Sequence, residues 1–128
     1  MMPSLIDRGD GIRLAARFRP GAGPVIIFLP GYASDMTGDK ASALDAWAAA
    51  QGRAMLRLDY SGCGESEGAF MEGTLTRWRD DAAFLIDHYV QGESLLLVGS
   101  SMGGGIALML AEALGPRVVG MVGIAAAP

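Results

Sequence analysis

The chain has 128 residues, of which 51% are hydrophobic and 19% are charged, and its formal net charge is −4. These values fit one globular domain and exclude a disordered chain, and the negative charge argues against nucleic acid or an anionic membrane surface as a partner. With one Cys and one His, the sequence has neither a disulfide framework nor a clustered metal site, so we expect a protein of the reducing cytoplasm.

No targeting or membrane segment is readable in the sequence. The first residues lack the basic head and the long apolar run of a signal peptide. No apolar run approaches the roughly 20 residues that a bilayer-spanning helix requires. We therefore expect no membrane span.

Glycine and proline divide the chain into short segments that alternate between strand and helix. The Gly9-Asp10-Gly11 segment predicts a hairpin turn, and residues 20–24 predict a second turn. Strands are predicted at 12–18, 25–29, 53–58, 95–98 and 118–124. Helices are predicted at 39–51, at 75–91 behind an N-cap at Thr74, and at 102–114. A loop rich in Gly, Ser and Glu is predicted at 59–73.

This order predicts right-handed crossovers onto a mostly parallel sheet, and therefore a single domain of the α/β class. The hairpin turn predicts that the first two strands form an antiparallel pair at one edge of the sheet. The apolar run at 25–29 is short and bracketed by breakers, which predicts a strand buried on both faces.

One segment, Gly99-Ser100-Ser101-Met102-Gly103, matches the pattern G-x-S-x-G between a predicted strand and a predicted helix. A turn this sharp, a nucleophile elbow, forces a strained backbone on Ser101 and projects its hydroxyl from the carboxyl edge of the sheet. Glycine at 99 and 103 avoids clashes with the strand and the helix. The spacing selects Ser101 as a nucleophile and leaves Ser100 as structural. A glycine-rich turn without chemistry fits the same residues.

Three signatures, in order, resemble the N-terminal half of an α/β hydrolase. The segment Phe28-Leu29-Pro30-Gly31-Tyr32 is similar to the strand-end His-Gly segment of that superfamily, with Pro30 in place of the usual His. The segment "DYSGCGES" at 59–66 is similar to the D-x-x-G-x-G-x-S loop, which is structural in the superfamily. The G-x-S-x-G segment is the third. Together with "TLTRWRDDA", they resemble the branch of acyl-protein (palmitoyl) thioesterases and acyl-glucuronide esterases.

The resemblance implies a serine hydrolase that cleaves ester or thioester bonds in a small molecule or an acylated protein, without a metal or an organic cofactor. In that role Ser101 attacks the carbonyl, and the backbone N–H groups of Tyr32 and Met102 form the oxyanion hole. Because the first donor is a main-chain group, the change to Pro30 need not abolish it.

The acid and the histidine of a catalytic triad are not readable in residues 1–128. The order in this fold is Ser, then Asp or Glu, then His, and after Ser101 the chain has only Glu112, which should point away along its helix, and no His. Upstream, His88 fits a half-exposed structural position, and Cys63 fits a packing role. We therefore expect an incomplete domain whose C-terminal half carries both groups, and an inactive 128-residue chain.

Three alternatives remain. Three glycines at 62, 64 and 68 approach a dinucleotide fingerprint, but no helix begins inside the run. The two serines before the last helix could hold a phosphate, although the Lys of a Walker motif is missing. A non-catalytic, hydrolase-like binding module would also explain the missing base. Independently of these, the uncharged apolar strand at 118–124 becomes a sheet edge, which predicts self-association.

Overall fold

A computed structural model describes residues 1–125 of the chain, which form a six-stranded sheet with three α-helices. The strands are β1 (Ser4–Asp7), β2 (Arg13–Arg19), β3 (Ala22–Leu29), β4 (Arg53–Leu58), β5 (Leu95–Ser100) and β6 (Val118–Ile124). The helices are α1 (Asp39–Gln51), α2 (Leu75–Tyr89) and α3 (Met102–Leu114). Single 3-10 turns occur at Phe70–Glu72 and Gly115–Arg117.

The strand order in the sheet is β1-β2-β4-β3-β5-β6. The four strands β4, β3, β5 and β6 run parallel, whereas β1 and β2 pair antiparallel to each other and β2 pairs antiparallel to β4. The predicted class is therefore confirmed, and so is the antiparallel N-terminal hairpin at one edge. Parallel strands bring their carboxyl ends to one edge of the sheet, where β3 and β5 end side by side.

Four elements differ from their predicted bounds. The strand β2 begins and ends one residue later than predicted, at Arg13 and Arg19. The strand β3 begins at Ala22, inside the predicted turn, because Ala22 already pairs with Arg53. The helix α2 ends at Tyr89, two residues early. The strand β5 continues to Ser100, because Gly99 and Ser100 still pair with β6. The other long elements have the predicted bounds, and Gly52 ends α1 in the left-handed conformation with φ of 68°.

The core has two layers of unequal size. Alternate side chains of β3 face opposite sides of the sheet, as strand geometry requires. Val25, Ile27 and Leu29 pack in the larger layer, which α2 and α3 cover, and Ile26 and Phe28 pack in the smaller layer under α1. The smaller layer continues into an open apolar groove between α1 and β6, beside the half-exposed Trp47.

The strand β6 forms the edge of the sheet, as predicted. It pairs with β5 on one side and with no other described strand. Its side chains Val119, Met121 and Val122 are 57%, 42% and 48% exposed. In the described part of the chain, no helix is both long and apolar enough to cross a membrane.

Candidate active site

Ser101 occupies a strained turn between β5 and α3. Its backbone has φ of 53° and ψ of −120°, a region that non-glycine residues rarely adopt. The turn is held from both sides, since the N–H of Ser101 donates to the carbonyl of Ile124 at 2.9 Å and its carbonyl accepts from the N–H of Gly104 at 2.9 Å. The side chain is exposed and makes no capping hydrogen bond to α3. The hydroxyl is therefore uncommitted at the carboxyl edge of the sheet.

Steric contacts explain the glycines on both sides of Ser101. A Cβ at Gly99 would lie 2.6 Å from the backbone N of Gly104 and would also meet the carbonyl of Gly103. A Cβ at Gly103 would meet the carbonyl oxygens of Leu29 and Pro30. All of these are backbone atoms, which cannot swing away. The turn therefore packs against both its own helix and the end of β3, and the second contact was not predicted.

The loop of residues 30–32, which follows β3, lies directly against Ser101. A Cβ at Gly31 would lie 2.9 Å from the carbonyl oxygen of Ser100 and 3.1 Å from the Cβ of Ser101. Among residues 1–125, no acceptor is bonded to the backbone N–H of Tyr32 or to that of Met102. Both predicted oxyanion donors are thus available, one in the loop and one at the first residue of α3.

The segment 59–66 is built around the buried carboxylate of Asp59. Its two oxygens accept hydrogen bonds from the backbone N–H groups of Met36 at 2.8 Å and Glu65 at 2.9 Å. Burial raises the pKa of Asp59 to about 6, although both hydrogen bonds favour the charged form. A side chain at Gly64, which has φ of 52°, would overlap this carboxylate. These contacts fix the loop without exposing a reactive group, which agrees with the structural role that the resemblance implied.

Two buried carboxylates were not singled out from the sequence. Asp81 on α2 accepts from the Arg8 side chain at 2.6 Å and from the backbone N–H of Ser61 at 2.8 Å. Asp45 on α1 accepts from Arg19 at 2.8 Å and from the buried Arg57 at 3.3 Å. Each pair joins segments far apart in the chain. The available signal was a charged residue on the apolar face of a predicted helix.

The remaining titratable groups considered from the sequence lie away from Ser101. His88 is exposed, and it lies edge-on to Tyr89 with ring centroids 4.8 Å apart. Its neighbour Asp87 bonds Arg117, just before β6 begins, whereas Ser101 bonds Ile124 where β6 ends. The strand between them is about 20 Å long. His88 therefore lies at the end of the sheet opposite to the carboxyl ends of the parallel strands, where Ser101 lies.

The other two candidate groups are a distant carboxylate and a buried thiol. Glu112 is exposed on α3, eleven residues and about 16 Å of helix beyond Ser101. Cys63 is buried in the 59–66 loop, and burial raises the pKa of its thiol. Among residues 1–125, no group of three or more His, Cys, Asp or Glu side chains could hold a metal ion.

Two open cavities lie beside the segment that follows β3, and Ser34 lines both of them. One, of about 220 Å³, is lined on the α1 side by Ser34, Lys40 and Ser100. The other, of about 280 Å³, is lined by Cys63 and Phe70 among others. The first cavity also borders Pro30 and Gly31, so it offers space for a substrate group next to the loop that abuts Ser101.

The strand order, the hairpin edge and the serine turn are those of an α/β hydrolase, and comparison with known proteins identifies the family. Residues 22–128 match the family model "Serine aminopeptidase, S33", and the chain belongs to that family. It is 43% identical over 124 residues to the human palmitoyl-protein thioesterase ABHD10, mitochondrial, and 40% identical to the mouse protein of that name. These alignments cover 97% of this chain and 40% and 41% of the relatives.

Solved structures agree with this assignment. The α/β hydrolase domain-containing protein 10 from mouse superimposes with a TM-score of 0.93 at 39% identity, over 99% of this chain and 50% of that one. Est1E from Butyrivibrio proteoclasticus, solved with ferulic acid bound, superimposes with a TM-score of 0.82 at 25% identity, over 92% of this chain and 50% of that one. The resemblance to α/β hydrolases and to the acyl-protein thioesterase branch is confirmed.

The comparisons also correct the predicted location and show what share of its relatives' length this chain spans. The expected cytoplasmic location is wrong by this test, because the curated relatives are named as mitochondrial proteins. A low cysteine count reports a reducing environment and does not identify the compartment. The chain spans about 40% of the length of the curated relatives it matches.

Proposed function

We propose that this chain supplies the nucleophile and the oxyanion hole of a serine hydrolase that cleaves carboxylic ester or thioester bonds. The observation that carries the proposal is the backbone of Ser101, whose strained turn leaves an uncommitted hydroxyl near the N–H groups of Tyr32 and Met102, which have no acceptor among residues 1–125. Strain of this kind persists where function requires it. The palmitoyl-protein thioesterase relatives support an acylated protein or a small acyl ester as the substrate.

In the proposed reaction, the hydroxyl oxygen of Ser101 attacks the carbonyl carbon of the substrate, and a base takes the hydroxyl proton. The N–H groups of Tyr32 and Met102 donate to the oxyanion, which contributes roughly 100- to 1000-fold in rate per donor. The bond to the alcohol or thiol then breaks, and the leaving group takes the proton. Water, deprotonated by the same base, attacks the acyl-enzyme, releases the acid and restores the serine.

The base and the acid that orients it belong, in this proposal, to chain outside residues 1–125. His88 is the only histidine in the sequence, and it lies at the end of the sheet opposite Ser101. The described residues would then form the first half of one hydrolase domain. The same added chain would cover the apolar groove beside β6.

The test uses the full natural chain that contains this sequence, together with a fluorophosphonate probe, which reacts with activated serines. We expect one covalent adduct, mapped by peptide mass spectrometry to Ser101. The Ser101→Ala variant should lose both the adduct and the hydrolysis of p-nitrophenyl acyl esters. Ser100→Ala is the matched control, because it removes the neighbouring hydroxyl of the same motif and should leave the adduct in place.

Two outcomes would contradict the proposal. An adduct that persists in Ser101→Ala would place the nucleophile elsewhere. A folded full chain with no adduct and no hydrolysis would favour the alternative of a non-catalytic, hydrolase-like binding module. Pull-down of a partner with that chain would then be the next experiment.

A further inference from the structure

The loop of residues 30–32 is held by aromatic side chains that meet at Trp78. On one side, the ring of Tyr60 stacks on Trp78 with centroids 5.7 Å apart, and its hydroxyl donates to the carbonyl of Pro30 at 2.9 Å. On the other side, Phe70 lies 5.8 Å from Trp78 and packs edge-on against Tyr32 at 5.4 Å. We call these three side chains, Tyr60, Phe70 and Trp78, the aromatic clamp.

Burial and a hydrogen bond fix the rings of the aromatic clamp. Trp78 is buried on α2, and its indole N–H donates to the carbonyl of Ser61 at 3.1 Å. Its ring fills the space beside Gly73, where a side chain would overlap it. Tyr60 is 1% exposed. Since neither ring has room to turn, the Tyr60 hydroxyl presents a fixed donor to the loop.

The hydrogen bond from Tyr60 to Pro30 can affect the position of the Tyr32 N–H relative to Ser101. It fixes the carbonyl of Pro30, and the next residue, Gly31, abuts the Cβ of Ser101. A rotation of the peptide at Pro30 would therefore shift Gly31 and, with it, the N–H of Tyr32. Without the hydroxyl, a buried carbonyl would also lose its partner, which favours such a rotation.

We propose that Tyr60 is a positioning residue, which holds the backbone N–H of Tyr32 in register with Ser101 through its hydrogen bond to Pro30 and the aromatic clamp. This inference rests on the proposed function, in which that N–H is an oxyanion donor. Tyr60 touches no reacting atom. Its effect should therefore be on the rate of the chemical step and not on substrate binding.

Two matched variants test the proposal in the full natural chain. Tyr60→Phe removes only the hydroxyl and keeps the ring. Tyr89→Phe is the control, because the buried Tyr89 hydroxyl has no hydrogen-bond partner among the described residues and its ring stacks on Phe18, away from the loop. We measure kcat and KM for a p-nitrophenyl ester, and hydrogen–deuterium exchange of the backbone amide of Ser34, which donates to the carbonyl of Gly31 at 3.1 Å.

We expect Tyr60→Phe to lower kcat about tenfold, part of the loss that removing a whole oxyanion donor causes, with KM changed less than about twofold, since the hydroxyl is remote from the bound substrate. Exchange at Ser34 should become faster, because a displaced Gly31 carbonyl no longer protects that amide, and Tyr89→Phe should match the wild type in every measurement. If Tyr60→Phe does not fold, Phe70→Leu loosens the loop from the other side and should give the same split between kcat and KM.

Failure of the positioning role and failure of the proposed function would give different results. A Tyr60→Phe variant with wild-type kcat and wild-type exchange at Ser34 would overturn the positioning role while leaving the hydrolase intact. A wild-type chain without hydrolysis would count against the proposed function. In that case the exchange measurement still decides the inference: faster exchange in Tyr60→Phe alone supports the clamp, and unchanged exchange refutes it.

Discussion

Arg8 and Asp81 are 73 residues apart in the chain, yet Nη1 of Arg8 lies 2.6 Å from Oδ1 of Asp81. The second oxygen of Asp81 accepts from the backbone N–H of Ser61 at 2.8 Å. One buried carboxylate thus joins the N-terminal hairpin, the 59–66 loop and α2. Because the carboxylate is 1% exposed, removing it leaves a largely buried guanidinium and a buried N–H without their partner.

We expect Asp81→Ala to lower the free energy of unfolding by about 3 kcal/mol, as is usual when one member of a buried ion pair is removed. The control is Asp80→Ala on the same turn, whose side chain is 63% exposed and bonds only its neighbour Arg79. That change should cost less than about 0.5 kcal/mol. Urea unfolding of both variants measures the difference, and equal midpoints would contradict the role assigned to Asp81.

Two glycines of α3 should respond to alanine in opposite directions. At Gly103 an added methyl group meets the carbonyl oxygens of Leu29 and Pro30, so Gly103→Ala must separate α3 from the end of β3. At Gly105 an added methyl group would have no atom of another described element within 4 Å, so Gly105→Ala gains only helix propensity. We expect a loss of about 3 kcal/mol or failure to fold for the first, and a gain of roughly 0.5–1 kcal/mol for the second.

Thermal unfolding followed by circular dichroism would check both variants. A Gly103→Ala protein as stable as the wild type would show that the contact between α3 and β3 is loose. In that case Ser101 would not be fixed against the 30–32 loop, and the site geometry described above would need revision.

The pH dependence of stability should carry the signature of Asp59. Burial raises its pKa in the folded chain to about 6, against about 4 when unfolded, so the folded state binds the proton more tightly. Its contribution to stability is therefore complete below about pH 4 and is lost as the pH rises through 6. The difference in unfolding free energy between the wild type and Asp59→Asn should fall by about 3 kcal/mol over that interval.

Asp45 supplies the contrasting case. The hydrogen bond from Arg19 lowers the pKa of Asp45, and the charge of Arg57 acts in the same direction. Its contribution is present above the unfolded pKa of about 4 and is lost as the pH falls through its folded pKa. Urea titrations from pH 3 to 8 of Asp59→Asn and Asp45→Asn should diverge in opposite directions; parallel curves would refute the assignment of either carboxylate.

The edge strand β6 should make the 128-residue chain self-associate. It contains no charged residue, and its exposed apolar side chains flank an unpaired row of backbone groups. We expect Met121→Lys to shift the chain toward monomer in sedimentation velocity. Met71→Lys is the control, since Met71 is 93% exposed on a loop and the same charge there should not change the oligomeric state. A monodisperse wild-type monomer would contradict the prediction.

Local signals predicted most of the fold. The helix bounds of α1 and α3, the N-cap at Thr74, whose hydroxyl accepts from the N–H of Arg77 at 3.0 Å, and the stop at Gly52 depend on residues close in sequence. The turn at Ser101 was readable for the same reason. Its glycines, its strand and its helix lie within one continuous segment.

Features that depend on distant partners were not predicted. The early start of β3 comes from its pairing with Arg53, and the burial of Asp81 comes from Arg8 on another element. The aromatic clamp joins residues of three separate segments, of which only Trp78 lies in a predicted helix. The periodicity of a single sequence does not indicate which charged residues form ion pairs between distant elements.

The hydrogen bond from the N–H of Ser101 to the carbonyl of Ile124 has a consequence for biosynthesis. The strained turn is stabilised by a residue 23 positions further along the chain, so it is left without that support while the nascent protein still holds Ile124 inside the ribosomal tunnel. The turn that carries the candidate nucleophile is therefore completed late, after β6 has been synthesised. A ribosome-bound intermediate that ends within α3 would lack the hydrogen bond that stabilises the strained backbone of Ser101.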